Sequence, residues 1–138
     1  MTKAKMSFAQ LKRIEKALAS VPFAKLLQLE LESVESGSAT LALDVRKDLT
    51  QNHGILHGGA IASLIDTATA FAILSVIEPK ERVTTVDLTI SYLRPVSKGR
   101  LRAVARVVRA GRRLFVVSAE VYSGEKLATT ALSTYIRV

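Results

Sequence analysis

The sequence predicts an α+β fold in which a curled antiparallel sheet wraps around one long central helix, with a second helix at the N-terminus. Three observations lead there. From about His57 to Ile77 the chain is apolar nearly all round: Ala60, Ile61, Leu64, Ile65, Ala68, Ala70, Phe71, Ala72, Ile73 and Leu74 cover most of the circumference. Such a helix must be buried on several sides. Past Pro79 the hydrophobic period drops to two. The turn signals Lys98-Gly99, Ala110-Gly111 and Ser123-Gly124 then recur 12 and 13 residues apart, as the hairpins of an antiparallel meander do.

The first 21 residues read as an amphipathic surface helix, with Phe8, Leu11, Ile14 and Leu18 at helical spacing and Lys12, Arg13, Glu15 and Lys16 between them. Pro22 breaks that pattern. Residues 25–35, where Leu27, Leu29 and Leu31 alternate, and 39–46, where Leu41, Leu43 and Val45 alternate, read as two strands joined at Ser36-Gly37-Ser38. Residues 47–56 are polar and glycine-containing, hence a loop. The central helix follows and stops before Pro79. Val86, Leu88, Ile90 and Tyr92 alternate with Asp87, Thr89 and Ser91 up to Arg94-Pro95, and segments 100–109, 113–122 and 126–137 complete the strands. The order β-β-α-β-β-β-β around one helix is the hotdog architecture. All 138 residues are expected to form one such domain.

Composition excludes several classes. Without cysteine there is no disulfide framework, thiolate nucleophile or cysteine metal site. His53 and His57 straddle a glycine rather than one helix face, so no metal site is expected. Lys3 and Lys5 precede an amphipathic pattern, not the uninterrupted apolar run of a signal peptide. The 57–77 stretch is long enough to span a bilayer, but Ser63, Asp66, Thr67, Thr69 and Ser75 argue against a membrane location. The chain reads as cytoplasmic.

The net charge is +8, and from Leu88 to Ala119 there is no acid while Arg94, Lys98, Arg100, Arg102, Arg106, Arg109, Arg112 and Arg113 fall in that span. Nucleic acid, a phosphorylated small molecule such as coenzyme A, or plain solvated strand faces would each account for the strip. Few aromatic residues interleave with it, so no nucleic-acid partner is expected.

Between Asp48 and Glu78 the only formal charge is Asp66, inside the apolar helix. A carboxylate there must be paired, wet or functional, because desolvating it alone costs several kcal/mol. The same helix opens with His57-Gly58-Gly59, which offers bare amide donors for a developing negative charge. A carboxylate and an amide-lined helix end are two parts of an acyl-transfer site. Without a function, His57 would be a helix cap, the glycines packing residues and Asp66 a satisfied buried group. Gly58 and Asp66 are eight positions apart, roughly 12 Å along a helix. One chain therefore cannot place both on the same carbonyl, and a symmetric dimer with composite sites would.

The run Asn52-His53-Gly54-Ile55-Leu56-His57-Gly58-Gly59-Ala60-Ile61-Ala62-Ser63-Leu64-Ile65-Asp66, followed by Thr85-Val86-Asp87-Leu88-Thr89-Ile90-Ser91-Tyr92-Leu93-Arg94-Pro95, resembles the PaaI-like (phenylacetic-acid-type) hotdog thioesterases. The resemblance covers about residue 25 to the C-terminus. It implies hydrolysis of an acyl-CoA thioester without a cofactor. Gly58 would polarise the carbonyl, and Asp66 would act as nucleophile or as general base. Gln51 or Asn52 would position water or substrate, and Thr85 would hold water. It also implies a site shared between subunits of a homodimer or a dimer of dimers. His57 and Gly59 would contribute to substrate binding. Coenzyme A phosphates are expected in the region of Arg112 and Arg113, which follow the turn glycine Gly111 and could engage them bidentately.

Two other readings stay in view. A hotdog dehydratase leans on a histidine base, and only His57, at the helix start, is available. A non-catalytic acyl-CoA-binding module would gain nothing from a carboxylate beside the acyl group. The acyl group itself is not readable.

Overall fold

The computed structural model describes residues 5–138; positions 1–4, including Lys3 of the expected N-terminal helix, lie outside the described residues. Helix α1 (Phe8–Ser20) starts at a capping box, in which the Gln10 amide donates to Ser7 Oγ at 3.1 Å and the Ser7 amide donates to Gln10 Oε1 at 2.8 Å. Its buried residues Ile14 and Leu18 enter the main core.

Pro22 does not end a helix; it begins one. Helix α2 (Pro22–Leu27) has proline at its first position, where a missing N–H is tolerated. The expected strand from residue 25 is therefore wrong at its start, and β1 spans Glu30–Glu35. The alternation of Leu27 and Leu29 arises because Gln28 between them turns left-handed, at φ 57, and both leucines go inward. The Arg46 guanidinium donates to the Leu26 and Leu27 carbonyls at 2.8 and 3.0 Å, closing this short helix.

The sheet comprises β1, β2 (Ser38–Asp44), β3 (Val83–Tyr92), β4 (Arg100–Ala110), β5 (Leu114–Ser123) and β6 (Lys126–Arg137), all antiparallel in the order β1-β2-β4-β5-β6-β3. At the β1–β2 turn Gly37 sits at φ 86, a conformation other residues rarely adopt. Gly111 serves the β4–β5 turn differently, since a Cβ there would lie 2.8 Å from the Leu114 carbonyl oxygen.

The central helix α3 (Gly58–Leu74) packs against the concave face, where Leu41, Leu43, Leu101, Ala103, Ala105, Phe115, Val117, Ala119 and Val121 are buried. The small side chains Ala103, Ala105 and Ala119 let the backbones approach. One stripe of α3 stays half-exposed: Ala62, Ser63, Asp66, Thr67 and Ala70, at helical spacing. No helix among the described residues is long and apolar enough to cross a membrane.

Strand β3 departs from its expected alternation. Leu88 and Ile90 pack on the core as expected, but a bulge between Thr85 and Asp87 pushes Val86 out, 58 % exposed. The extra residue shifts the parity, so Val83 and Thr85 take the inward side beyond the bulge. An alternating pattern cannot announce that break, because it depends on pairing with β6, far along the chain.

Candidate active site

Asp66 is half-buried at the middle of α3, on the stripe that the sheet leaves uncovered. Its partners come from the two strands at one end of the sheet. Thr85 Oγ1, aimed by the bulge, donates to Asp66 Oδ1 at 2.9 Å. Tyr135, the register partner of Thr85 on β6, lies with its hydroxyl 2.8 Å from the Asp66 carbonyl oxygen and 3.2 Å from Oδ1. Thr69 Oγ1 is 2.7 Å from the same phenol oxygen. Among the described residues no cation forms an ion pair with Asp66. Hydroxyl donors, not a counter-charge, satisfy this carboxylate. The neighbouring hydroxyls of Ser63 and Thr67 are spent on Gly59 and Ser63 carbonyls of the helix itself, each at 2.8 Å.

The start of α3 is held rigidly. The His57 amide donates to the Leu49 carbonyl at 2.9 Å and the Leu56 amide to that of Val96 at 2.8 Å. His57 is the N-cap, its Nδ1 accepting from the Gly59 amide at 2.7 Å. That bond occupies the Gly59 donor. The Gly58 amide has no acceptor among the described residues and opens toward a cleft of about 330 Å³ lined by Gln51, Ile55, Leu56, Gly58, Ile61, Tyr92, Leu93, Arg94, Pro95 and Val96. Tyr92 floors it: its hydroxyl donates to the Gly58 carbonyl at 2.8 Å. Its ring lies 3.3 Å from where a Cβ on residue 58 would stand.

Of the two expected amide side chains, Gln51 lines this cleft; Asn52 is exposed in the short 3-10 turn Asn52–Gly54 and is not among the lining residues. Thr85 is joined to Asp66, whereas Gly58 stands two helical turns away on the same helix. Arg112 and Arg113 lie at the exposed β4–β5 turn, at the end of the sheet where Leu114 and Ile136 pair, which is the Asp66 end. Much of the remaining basic strip is neutralised. Arg100 pairs with Glu30, Glu32 and Asp44, Arg102 with Glu32, and Arg106 with Glu120. Arg112, Arg113, Arg109 and Arg94 form no ion pair among the described residues.

Sequence reading missed Tyr135, Thr69 and Tyr92. A usable signal existed for the first: Thr129, Ala131, Ser133 and Tyr135 share one face of β6, and an inward phenol needs a hydrogen-bond partner.

Comparison with known proteins identifies the family and the fold. A profile of the thioesterase superfamily matches residues 53–129. The medium/long-chain acyl-CoA thioesterase YigI of Salmonella typhimurium is 33% identical over 132 residues, covering 84% of this chain and 85% of its own. The PaaI protein of the Escherichia coli phenylacetic acid degradation operon superposes with a TM-score of 0.88 at 26% identity, over 97% of this chain and 96% of that one. The conserved protein PA5202 of Pseudomonas aeruginosa gives 0.83 at 35% identity, over 86% and 94%. The chain belongs to the thioesterase superfamily, as a PaaI-like hotdog thioester hydrolase.

Proposed function

We propose that the protein hydrolyses an acyl-CoA thioester to a free acid and coenzyme A, at sites each built from two copies of the chain. The observation that carries this reading is the pairing of an unused Gly58 amide, facing an apolar cleft, with a carboxylate held only by hydroxyls on the open stripe of the same helix. The thioester carbonyl accepts from Gly58 N–H at the positive end of the helix. Asp66 then follows one of two courses. As general base it takes a proton from water, whose oxygen attacks the carbonyl. As nucleophile it attacks directly and forms a mixed anhydride that water opens. Either way the carbon–sulfur bond breaks and coenzyme A leaves as a thiol.

Strand β3 supports the two-chain site. It is a ten-residue edge strand with no lysine or proline and an exposed Val86, the kind of edge that invites a second strand. In β3 the Val83 end pairs with Arg137, near Asp66, and the Tyr92 end pairs with Thr129, near Gly58. Antiparallel pairing of two β3 strands lays one chain's Asp66 end against the other's Gly58 end. That removes the roughly 12 Å gap within one chain. Arg112 and Arg113 travel with Asp66 and are the proposed phosphate contacts, while Gln51 travels with Gly58 as the water- or substrate-positioning amide.

The relative named for medium- and long-chain acyl-CoA makes that class the first to test. Thiol release from a panel of acyl-CoAs, with wild type and Asp66→Asn, decides the matter. Wild type is expected to release coenzyme A, and the variant to lose at least about a hundredfold in kcat. Absence of thiol from every acyl-CoA defeats the proposal, and equal rates remove Asp66 from it.

A further inference from the structure

We propose that Tyr135 is a positioning residue for catalysis: together with Thr85 it fixes the Asp66 carboxylate through Oδ1, so that Oδ2 is the oxygen presented to the substrate. The inference rests on the assignment of Asp66 above and names a residue that assignment does not contain.

Both donors converge on one oxygen. Thr85 Oγ1 lies 2.9 Å and the Tyr135 hydroxyl 3.2 Å from Oδ1, and among the described residues no group donates to Oδ2. They come from paired positions on adjacent strands, Thr85↔Tyr135, so the carboxylate is held from one side by two rigid elements. A carboxylate has about four acceptor sites. Filling those of Oδ1 leaves the lone pairs of Oδ2 for a water or a carbonyl carbon.

The proton count defines what Tyr135 does. The phenol carries one hydrogen and has three oxygens in reach: Asp66 O at 2.8 Å, Asp66 Oδ1 at 3.2 Å and Thr69 Oγ1 at 2.7 Å. The Thr69 hydroxyl likewise carries one hydrogen, with the Ile65 and Asp66 carbonyls at 3.0 and 3.1 Å besides the phenol oxygen. In the arrangement proposed, Thr69 donates to the phenol oxygen and the phenol hydrogen goes to Asp66, shared between its helix carbonyl and its carboxylate. Tyr135 is 2 % exposed, which leaves no water to replace these bonds. Burial, reinforced by the Asp66 charge and opposed by the Thr69 hydrogen bond, pushes the phenol up to about 12. It therefore stays a donor across the working range of a hydrolase.

The titratable groups facing Asp66 from its packed strands are few. On β6 they are Tyr135 itself and, two residues on with the same parity, Arg137, which lies over the Phe115 ring and is paired with Glu81. On β3 the nearest is Asp87, past the bulge, whose carboxylate is within 3.4 Å of the Thr89 hydroxyl on its own strand. The residues that β2, β4 and β5 turn toward the helix, among them Leu41, Leu43, Ala103, Ala105, Phe115 and Val117, are apolar, so these strands add none.

The test compares Tyr135→Phe with wild type and Asp66→Asn by acyl-CoA hydrolysis across pH. Phenylalanine keeps the ring and removes one donor to a charged group. The expected result is a kcat lower by about tenfold or more, with KM changed by less than about twofold. The acid limb of the kcat profile should move to higher pH, because the carboxylate anion has lost support. A purely structural role would lower the melting temperature and leave that limb in place. Incorporation of 3,5-difluorotyrosine at position 135, which strengthens the donor without changing the shape, should move the limb to lower pH. It decides the matter if Tyr135→Phe does not fold. Wild-type kcat and an unmoved limb in Tyr135→Phe, or an unmoved limb with the fluorinated residue, overturn the proposal while Asp66→Asn is inactive. An active Asp66→Asn overturns the Asp66 assignment, and this inference with it.

Discussion

A mixture of Gly58→Pro and Asp66→Asn proteins tests whether one site is drawn from two chains. Gly58→Pro removes the proposed carbonyl donor while respecting the local backbone. Position 58 opens α3, and His57 before it has φ −63 and ψ 135, the extended conformation that a following proline requires. A Cβ at 58 meets the Tyr92 ring at 3.3 Å, and Tyr92, 51 % exposed, has room to yield. Losing one such donor lowers kcat by about 10²- to 10³-fold, and Asp66→Asn by a comparable factor. Each variant alone therefore assembles with two broken sites. After reassortment of equal amounts about half the dimers are mixed, and each mixed dimer holds one site with both native groups. Thiol release should recover to about a quarter of the wild-type rate. Mixed dimers detected by native mass spectrometry with no gain in rate over either parent would refute the shared site.

Three further outcomes are expected. Val86→Lys places a charge on the exposed bulge of edge strand β3 and should yield a monomer by light scattering with thioesterase activity lost; a fully active monomer contradicts the two-chain site. Arg112→Ala with Arg113→Ala should raise KM for acyl-CoA without lowering kcat and leave acyl-pantetheine unaffected, since these guanidiniums are proposed to hold phosphate; an unchanged KM assigns that contact elsewhere. Tyr135 is pushed up to about 12 from 10.0, so its neutral form is favoured on folding. The stabilisation is complete below pH 10 and is lost as pH rises through 12, a difference of roughly 2–3 kcal/mol between wild type and Tyr135→Phe in that window. Denaturant titrations at pH 9 and 12 measure it, and parallel curves for the two proteins count against it.

Local patterning carried the central helix, the meander after Pro79 and the anomalous carboxylate. A helix apolar on nearly all sides has to be wrapped, and one charge within it has to be satisfied or used. The mismatch between Gly58 and Asp66 also needed only the rise per residue. Other features were hidden for identifiable reasons. Pro22 carries the same local signal whether it ends one helix or begins another, so the pattern alone assigns the last residues of α2, from Lys25, to a strand. The His57 cap, by contrast, is one of the two readings the sequence offers for that residue, and its Nδ1 accepts from the Gly59 amide.

By itself, then, the sequence determined the central helix, the meander after Pro79 and which carboxylate stands alone. Tertiary structure alone decided what holds that carboxylate. Thr85 reaches Asp66 only because a bulge at Val86 reverses the side-chain parity of β3. Tyr135 reaches it from 69 residues away because β6 lies between β5 and β3 in the sheet. Periodicity records how a residue relates to its near neighbours. Register, bulges and strand order are set by hydrogen bonds between distant segments, and no local pattern encodes them.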